Sequence, residues 1–271
     1  MGTSIVVTSG KGGVGKTTTT ASLSLALVQA GKTVCAVDLD VGLRNLDSCL
    51  GLSDRIIYDM TDVLSGKVAL SQALIEHPNY HDQLFLLAAS QNDSQEVLDV
   101  RKIQAIIGEL KQQYDFVLLD CPAGIETGFK AAVYVADSAI IVTTPELAAV
   151  SDADRVVGLL EKMKLSYGIH LVINRVRLQM IENGKAMDIQ SIVNRLSVPL
   201  IGVIIDDDDV IATSNHGQSV LQEDIENPAA VGYRNLAHRI LGEKIPLNEI
   251  DEHRLSSKKQ NFWQRMFHHV N

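Results

Sequence analysis

The sequence predicts an α/β fold in which helices cover both faces of a mostly parallel, twisted sheet. Short runs rich in Val, Ile and Leu recur along the chain and are continuous rather than alternating, as expected of strands buried on both faces. Segments with helical periodicity lie between them, and such alternation is typical of a parallel sheet. The predicted strands are SIVVTS, TVCAVDLD, LFLLAAS, FVLLD, SAIIVTT, HLVINR and LIGVII, and the predicted helices are 16–30, 96–113, 146–163 and 228–241.

Length and composition favour one large domain followed by a tail. The chain has 271 residues, of which 46% are hydrophobic, and this suffices for one sizeable core. We place the domain at residues 1–245, a linker at 246–255 and a terminal helix at 256–271. Three irregularly spaced cysteines do not make a disulfide framework, and no run of about 18 apolar residues occurs. We therefore expect a protein of a reducing compartment that is neither exported nor membrane-spanning.

Charge is distributed unevenly along the chain. The formal net charge is −9, yet no acidic residue follows Glu252, and the four basic residues after it leave the preceding body at −13. An acidic body is poorly suited to binding nucleic acid through a general electrostatic footprint. We therefore expect no nucleic-acid partner.

The first strand is followed by GKGGVGKT, residues 10–17, which matches the phosphate-binding motif G-x-x-x-x-G-K-[ST] and opens a helix, as that motif requires. Its backbone N–H groups and the helix N-terminus favour phosphate. Lys16 is expected to reach the β- and γ-phosphates and Thr17 to bind Mg²⁺, which predicts a single P-loop NTPase domain. A glycine turn without a ligand is the alternative. The predicted nucleotide-binding residues here are Gly10, Lys11, Gly12, Gly13, Val14, Gly15, Lys16, Thr17 and Thr18.

Acidic residues end two further strands. Asp38 and Asp40 are two residues apart, so they project from the same side of a strand end, where carboxylates could orient a metal's water and an attacking water. FVLLD looks like a Walker B strand, whose Asp120 would hold a Mg²⁺-bound water, and the Pro-Ala-Gly loop after it could sense the γ-phosphate. A single Asp at a strand end is also a common turn or helix cap, which is the alternative for each.

Lys11 occupies a position that the general motif leaves free. In GKGGVGKTT the sequence resembles the deviant Walker A family of ATPases, whose signature residue is this first lysine. The resemblance implies an ATP-bound homodimer in which Lys11 reaches the phosphates held by the other subunit, so that Lys11 and Lys16 both act in catalysis. It also implies that Asp40 positions the attacking water and that Asp38 lies close to the Mg²⁺ shell. A solvated surface lysine is the alternative for Lys11.

The late strand HLVINR ends in Asn174 and Arg175, and the resemblance implies that Asn174 bonds to adenine while Arg175 stacks on it. Relatives often carry Pro in the loop after the next strand, whereas this sequence has Ile205 and Asp206. Because of that difference, the resemblance does not say which residues form the far wall of the base pocket. The acidic run 206–209 is predicted to begin a helix, where it favours the helix dipole, rather than to bind metal.

Within the family, the stretches DVGLRNLD, DCPAGIETG, TTPELAAVSDADRVVGLL and SNHG look like the MinD branch. The resemblance runs from Ser4 to about Leu241 and returns at the tail. It implies a slow ATPase, stimulated by membrane or partner, that recruits a MinC-like division inhibitor and works with MinE or with a static polar anchoring system. The partner surface is predicted at Arg44, Asn45, Asp152 and Asp154.

Other members of the family remain as alternatives. A flagellar-number regulator of the FlhG type usually carries an extra N-terminal segment, and a nitrogenase-type iron protein needs paired cysteines at the dimer seam. A ParA-like partition ATPase would present a basic face to DNA. A membrane adaptor that binds ATP without turnover is a further alternative.

The tail SSKKQNFWQRMFHHVN contains two of the five Phe and the only Trp. At about 100° per residue its apolar side chains form one continuous face, which is the pattern of an amphipathic helix in the plane of a membrane. Docking on the body or on a partner's groove is the alternative. The predicted contacts with anionic phospholipid are Phe262, Trp263, Met266, Phe267 and Val270, with Lys258, Lys259 and Arg265.

The expected energy of insertion explains how the tail would act. Five buried side chains contribute roughly 2 kcal/mol each, while ordering the helix costs about 1 kcal/mol per residue, so one tail binds weakly. Two tails on a dimer gain about 10² to 10⁴ in avidity. We therefore predict an ATPase switch that is cytoplasmic, binds the inner face of the cell membrane as an ATP dimer, and leaves it after hydrolysis.

Overall fold

Eight strands form the central sheet of the computed structural model, which describes residues 1–91, 99–163, 165–224 and 226–247. They are β1 (Thr3–Thr8), β2 (Val34–Asp38), β3 (Leu74–Glu76), β4 (Leu84–Leu87), β5 (Phe116–Asp120), β6 (Ser138–Thr143), β7 (Ile169–Val176) and β8 (Leu200–Ile205). Their order across the sheet is β3-β4-β2-β5-β1-β6-β7-β8. Only the β3–β4 pair is antiparallel, and the other neighbouring pairs are parallel.

All seven predicted strands are present, because each hydrophobic run is buried on both faces of the sheet. Every residue of β2 and β6 is buried, for example. The eighth strand, β3, was not predicted. It has three residues, lies at the edge of the sheet and runs antiparallel to β4, so it carries neither the length nor the hydrophobic pattern of the central strands.

The helices of the described residues are α1 (Lys16–Gln29), α2 (Leu46–Cys49), α3 (Met60–Leu64), α4 (Leu70–Ala73), α5 (Val100–Gln113), α6 (Thr127–Tyr134), α7 (Leu147–Leu160), α8 (Leu178–Glu182), α9 (Ile189–Leu196), α10 (Asp208–Asn215), α11 (Val220–Glu223) and α12 (Pro228–Ile240). The predicted helices correspond to α1, α5, α7 and α12, with bounds that agree to within a few residues. Residues 96–98 of the second prediction lie outside the described residues.

Local capping sets where several helices begin. Asn227 accepts hydrogen bonds from the backbone N–H groups of Ala229 and Ala230 at 2.8 and 3.4 Å, and Pro228 takes the first position of α12. The acidic run after β8 acts in the same way, because Asp207 caps α10 and accepts from Asp209 N at 3.0 Å. This confirms the prediction that the run begins a helix.

Two hydrophobic cores lie on opposite faces of the sheet. One contains Ile103 of α5 and Val156 of α7, and the other contains Leu25 of α1 and Tyr233 of α12. Helix α1 is buried along most of its length, and its Ser, Thr and Ala residues let it fit between the sheet and α12. The predicted architecture, with helices on both faces, is confirmed.

The order of strands defines where a ligand can bind. The chain leaves β1 through α1 towards β2 on one side, whereas β6 lies on the other side of β1. In open α/β sheets the crevice beside such a reversal is where ligands bind. Among the described residues, no helix is long and apolar enough to cross a membrane. The predicted terminal helix 256–271, and the linker from residue 248 onward, lie outside the described residues.

Candidate nucleotide-binding site

Close backbone approaches shape the glycine-rich loop between β1 and α1. Gly15 has φ 94° at the N-cap of α1, and a Cβ there would lie 2.3 Å from Asn174 Nδ2. A Cβ on Gly10 would lie 2.2 Å from the carbonyl oxygen of Asp152 in α7. Larger residues would therefore push the loop away from β7 and α7. The loop places its backbone at the N-terminus of α1, where N–H groups favour an anion.

Lys16 and Thr17, the first residues of α1, lie beside the acidic ends of β2 and β5. Lys16 is only 8% exposed. Thr17 bonds to the carboxylate of Asp120, and Thr20 Oγ1 donates to the same carboxylate at 3.1 Å. The structure thus brings the lysine and threonine of the phosphate motif together with the Walker B aspartate.

Asp38 and Asp120 are neighbours across the β2–β5 pair, and both are buried. Asp38 accepts hydrogen bonds from the backbone N–H groups of Asp40 at 2.9 Å and Leu46 at 3.2 Å. Burial, together with the charge of Asp120, raises the pKa of the Asp38 carboxyl. Burial also raises the pKa of Asp120 to about 6, although Thr17, Lys16 and Thr20 oppose the rise. These two carboxylates form a concentrated negative charge that a cation would neutralise.

The donor set at this point fits Mg²⁺. Thr17 offers a hydroxyl, while Asp38 and Asp120 offer carboxylates, and hard oxygen donors of this kind are what Mg²⁺ prefers. Mg²⁺ at nucleotide sites uses one or two carboxylates and completes its shell with phosphates and water. Accordingly the site needs no dense cluster of ligands, and the described residues contain no group of three or more His, Cys, Asp or Glu arranged for a metal.

Asp40 lies at the start of the loop that follows β2. Burial raises the pKa of its carboxyl, and the nearby charge of Lys16 opposes the rise. Its carbonyl oxygen accepts from the backbone N–H groups of Leu43 and Arg44 at 3.2 and 3.1 Å, which closes a tight turn. Asp40 is therefore held near Lys16 but is less buried than Asp38.

Replacing Asp120 with Asn should stabilise the nucleotide-free and metal-free protein at neutral pH. In the folded protein Asp120 binds a proton below about pH 6, whereas an unfolded Asp does so only below about pH 4. Folding stability therefore falls as pH rises through this interval. We expect a gain on the order of 2 kcal/mol in the free energy of unfolding at pH 7 and a smaller gain at pH 5.

Urea unfolding at both pH values measures this effect. Asp154→Asn is the control, because Asp154 is exposed on α7, and its effect should be small at either pH. An equal gain at pH 5 and pH 7, or a loss at pH 7, would contradict the account of Asp120.

Lys11 is paired with a residue outside the loop that contains it. Its Nζ lies 3.7 Å from Glu146 Oε2 at the start of α7, and the side chains of Lys11 and Glu146 are 47% and 68% exposed. Ser9 Oγ donates to the carbonyl oxygen of Lys11 at 2.8 Å, which holds the backbone in place. An exposed pair of this kind contributes little to stability. The lysine side chain is therefore exposed and only weakly held.

A cavity of about 200 Å³ lies beside the glycine-rich loop. Asn174 Nδ2 donates to the carbonyl oxygen of Val14 at 2.9 Å, so the Oδ1 of that amide remains to accept from a ligand. Arg175, with φ 54°, lines the same cavity. The sequence did not assign the far wall of this pocket. In the structure it is formed by Ile205 and Asp206 with residues of α10 and α12.

Most of that wall was not predicted from the sequence. Its further residues include Val210, Ile211, Ser214, Asn215 and Tyr233. None belongs to a phosphate-binding motif, and only Ser214 and Asn215 lie in a stretch that the sequence singled out, SNHG. Asp206 is ion-paired with Arg177, so its carboxylate lies at the rim with a partner of its own.

The predicted partner residues fall into two groups. Arg44 and Asn45 follow β2, and the Nε of Arg44 lies 3.3 Å from Asp47 Oδ2, so its guanidinium is engaged within the same loop. Asp152 and Asp154 lie on α7. Asp152 packs its backbone on Gly10, whereas Asp154 is exposed. The two groups follow the carboxyl ends of β2 and β6 and hence flank the same edge of the sheet.

The cysteines lie in poor positions for an iron–sulfur cluster. Cys35 and Cys121 are completely buried, and burial raises the pKa of both thiols, that of Cys121 to about 12. Cys49 is partly exposed beside Thr18, and burial likewise raises its pKa to about 12. Cluster ligation requires thiolates, which these environments disfavour.

Two protein families match the chain. The family described as "AAA domain" matches residues 2–173, and the family described as "4Fe-4S iron sulfur cluster binding proteins, NifH/frxC family" matches residues 101–262. Among individual relatives, the septum site-determining protein MinD of Bacillus subtilis (strain 168) is 51% identical over 252 residues. That alignment covers 93% of this chain and 94% of the relative.

Solved structures are similar over nearly the same span. In a MinC:MinD cell division protein complex from Aquifex aeolicus, one chain is 41% identical with a TM-score of 0.84, covering 91% of this chain and 99% of that chain. MinD complexed with Mg-ADP from Pyrococcus horikoshii OT3 is 31% identical with a TM-score of 0.80, covering 90% of this chain and 100% of that chain. The fold around the candidate site is thus shared by proteins of cell division.

Proposed function

Because the chain belongs to the MinD family of P-loop ATPases, we propose that it is an ATP-driven switch that governs placement of the division septum. It hydrolyses ATP to ADP and phosphate, dimerises with ATP, and binds the inner face of the cell membrane through residues 256–271. The observation that carries the proposal is the position of Lys11. Its exposed side chain belongs to the phosphate loop but is paired with Glu146, which lies outside that loop.

Nucleotide binding uses the loop and the cavity on either side of Gly15. The N-terminus of α1 and Lys16 bind the phosphates. The base enters the 200 Å³ cavity, where Asn174 Oδ1 accepts from the adenine amine and Arg175 stacks on the ring. The relative from Pyrococcus horikoshii, solved with Mg-ADP, supports ATP as the substrate.

Mg²⁺ would be held at Thr17, Asp38 and Asp120, where it would neutralise the phosphate charge and the two buried carboxylates. Asp40 orients the attacking water from its place near Lys16. Lys11 of the other subunit stabilises the negative charge that develops on the transferred phosphoryl group, as an arginine finger does elsewhere. Hydrolysis is slow in the monomer because the positive charge of the other subunit's Lys11 is absent.

The surface around the loop supports a dimer. Leu43, Ile125 and Leu147 are 67%, 43% and 62% exposed, and they follow the carboxyl ends of β2, β5 and β6. Exposed apolar side chains that share one edge of a sheet favour burial against a partner. A second copy placed over this edge would cover them and would exclude water from the phosphates.

The output of the switch is recruitment to the membrane. Two amphipathic tails on the ATP dimer bind anionic phospholipid with avidity, and the dimer recruits a MinC-like division inhibitor at Arg44, Asn45, Asp152 and Asp154. The structurally similar MinC:MinD complex of Aquifex aeolicus supports a partner of this kind. MinE or a static polar anchoring system determines where hydrolysis is stimulated, and the ADP form returns to the cytoplasm.

ATPase rates with and without anionic vesicles test this function. We expect stimulation by vesicles, and further change when the candidate division partners are added. Asp40→Ala should lower kcat by at least about 10²-fold and retain ADP affinity, because Asp40 lies off the phosphate loop. Asp54→Ala, an exposed acid of the turn after α2, is the control and should keep the wild-type rate. Vesicle-independent turnover, or stimulation by DNA instead, would contradict the proposal.

A further inference from the structure

Two glycines far apart in the sequence bring two walls of the candidate site into backbone contact. A Cβ placed on Gly51 would lie 2.3 Å from the carbonyl oxygen of Gly217, and one placed on Gly217 would lie 2.7 Å from the Cα of Gly51. Both glycines have left-handed φ, of 66° and 67°. The two chain segments therefore touch directly, and a shift of one backbone must displace the other.

Gly51 belongs to the phosphate side of the site. It follows α2, whose first residue, Leu46, donates its N–H to the buried Asp38 carboxylate at 3.2 Å. That carboxylate also accepts from Asp40 N at 2.9 Å, so one side chain holds both ends of the loop 40–46. Movement of α2 would therefore change the position of Asp40.

Gly217 belongs to the base side of the site. It follows α10, and its N–H donates to the carbonyl oxygen of Ser214 at 3.1 Å. Helix α10 contributes Val210, Ile211 and Ser214 to the wall of the base cavity. A base that enters the cavity therefore contacts the helix whose end rests on Gly51.

The segment that contains Gly51 cannot simply retreat. His77 is buried and bonds to the backbone of Leu50. Leu52 N donates to the carbonyl oxygen of Asp47 at 2.8 Å, and Leu46 and Leu52 are completely buried. Because the segment is held in these ways, displacement of α10 is transmitted to α2 rather than absorbed.

We propose that the Gly51–Gly217 contact is a positioning contact that couples occupancy of the base cavity by adenine to the placement of the Asp40 loop. The coupling rests on the proposed nucleotide-binding function and adds to it a route between base and phosphate sides that does not pass through the phosphate loop. Because of this coupling, the protein responds differently to a whole nucleotide and to phosphate groups without a base.

Hydrogen exchange of backbone amides with two probes tests the coupling. ADP occupies both the loop and the base cavity, whereas inorganic pyrophosphate occupies the loop alone. In the wild type, ADP should slow exchange at Leu46 and at residues 50–52 about fivefold or more beyond pyrophosphate, the lower end of typical couplings between sites. In Gly217→Ala this difference should vanish at saturating ADP.

The chain offers closely matched controls. Gly184 has φ 65°, and a Cβ placed on it would have no neighbour within 4 Å. Gly184→Ala therefore carries the same backbone strain without the contact and should keep the wild-type difference. If Gly217→Ala does not fold, Gly51→Ala replaces it, with Gly66→Ala as its control at φ 76°.

The outcomes separate the coupling from the function it rests on. Equal protection by ADP and pyrophosphate in the wild type, with ADP binding seen by calorimetry, would overturn the coupling alone, as would a difference that persists in Gly217→Ala. A wild type that binds no ADP would overturn the proposed function, and the coupling with it.

Discussion

Replacing Lys11 with Ala should lower kcat for vesicle-stimulated ATP hydrolysis by about 10³-fold or more, the range associated with a charge supplied in trans. Affinity of the monomer for ADP should remain within a few-fold of the wild type. The reason is the geometry of the lone subunit, in which Lys11 Nζ lies 3.7 Å from Glu146 Oε2 and Lys16 is the buried lysine of the loop. Steady-state kinetics and calorimetry with ADP measure the two effects.

Lys16→Ala should behave differently from Lys11→Ala and therefore serves as a contrast. Lys16 lies against the site in the same subunit, so its loss should weaken ADP binding itself. Glu146→Gln is the matched control, since it removes the ion pair but leaves Lys11 in place, and it should keep a rate near that of the wild type. A Lys11→Ala protein that hydrolyses ATP normally would exclude a role in trans.

Replacing both Phe262 and Phe267 with Ser should lower ATP-dependent affinity for anionic vesicles by at least about 10³-fold, the loss expected from one tail alone. Each buried Phe contributes about 2 kcal/mol, and loss of about 4 kcal/mol per tail removes the avidity that two tails provide. Hydrolysis without vesicles should be unchanged, because these residues lie beyond the ATPase domain proposed at 1–245. Sedimentation with vesicles in ATP and in ADP is the measurement.

The opposite side of the predicted tail helix supplies the control. His268→Ser plus Asn271→Ser makes two substitutions of the same kind without touching the apolar face, and pelleting should stay close to that of the wild type. Equal pelleting of the wild type with ADP and ATP would argue against a nucleotide switch. Unaltered pelleting of the Phe variant would show that other residues bind the membrane.

The sequence predicted the parts of the fold whose signals are local and strong. Each of the seven hydrophobic runs became a strand, because a strand buried on both faces needs continuous apolar residues. The phosphate motif predicted the turn and the start of α1. Its Gly15 has φ 94° and lies close to Asn174, and both features require glycine at this position. Capping chemistry likewise predicted that the acidic run ending at Asp209 begins α10.

Other features could not be predicted because they depend on how distant segments pack. Strand β3 is short, and its pairing with β4 decides its conformation. The wall of the base cavity draws on Ile205, Ile211 and Tyr233, which come from separate elements and carry no shared motif. An edge strand or a cavity wall exists only once the sheet has placed its neighbours.

By itself, the sequence determined the α/β class, the phosphate-binding loop and which acidic residues end strands, since these follow from hydrophobic period and residue chemistry. Only the tertiary structure decided that Asp38 and Asp120 are neighbours across the β2–β5 pair, that Lys11 is paired with Glu146, and that Gly51 touches Gly217. The physical reason is that strand order and close packing bring together residues that no local pattern relates, and the energies of buried charge and backbone contact depend on that proximity.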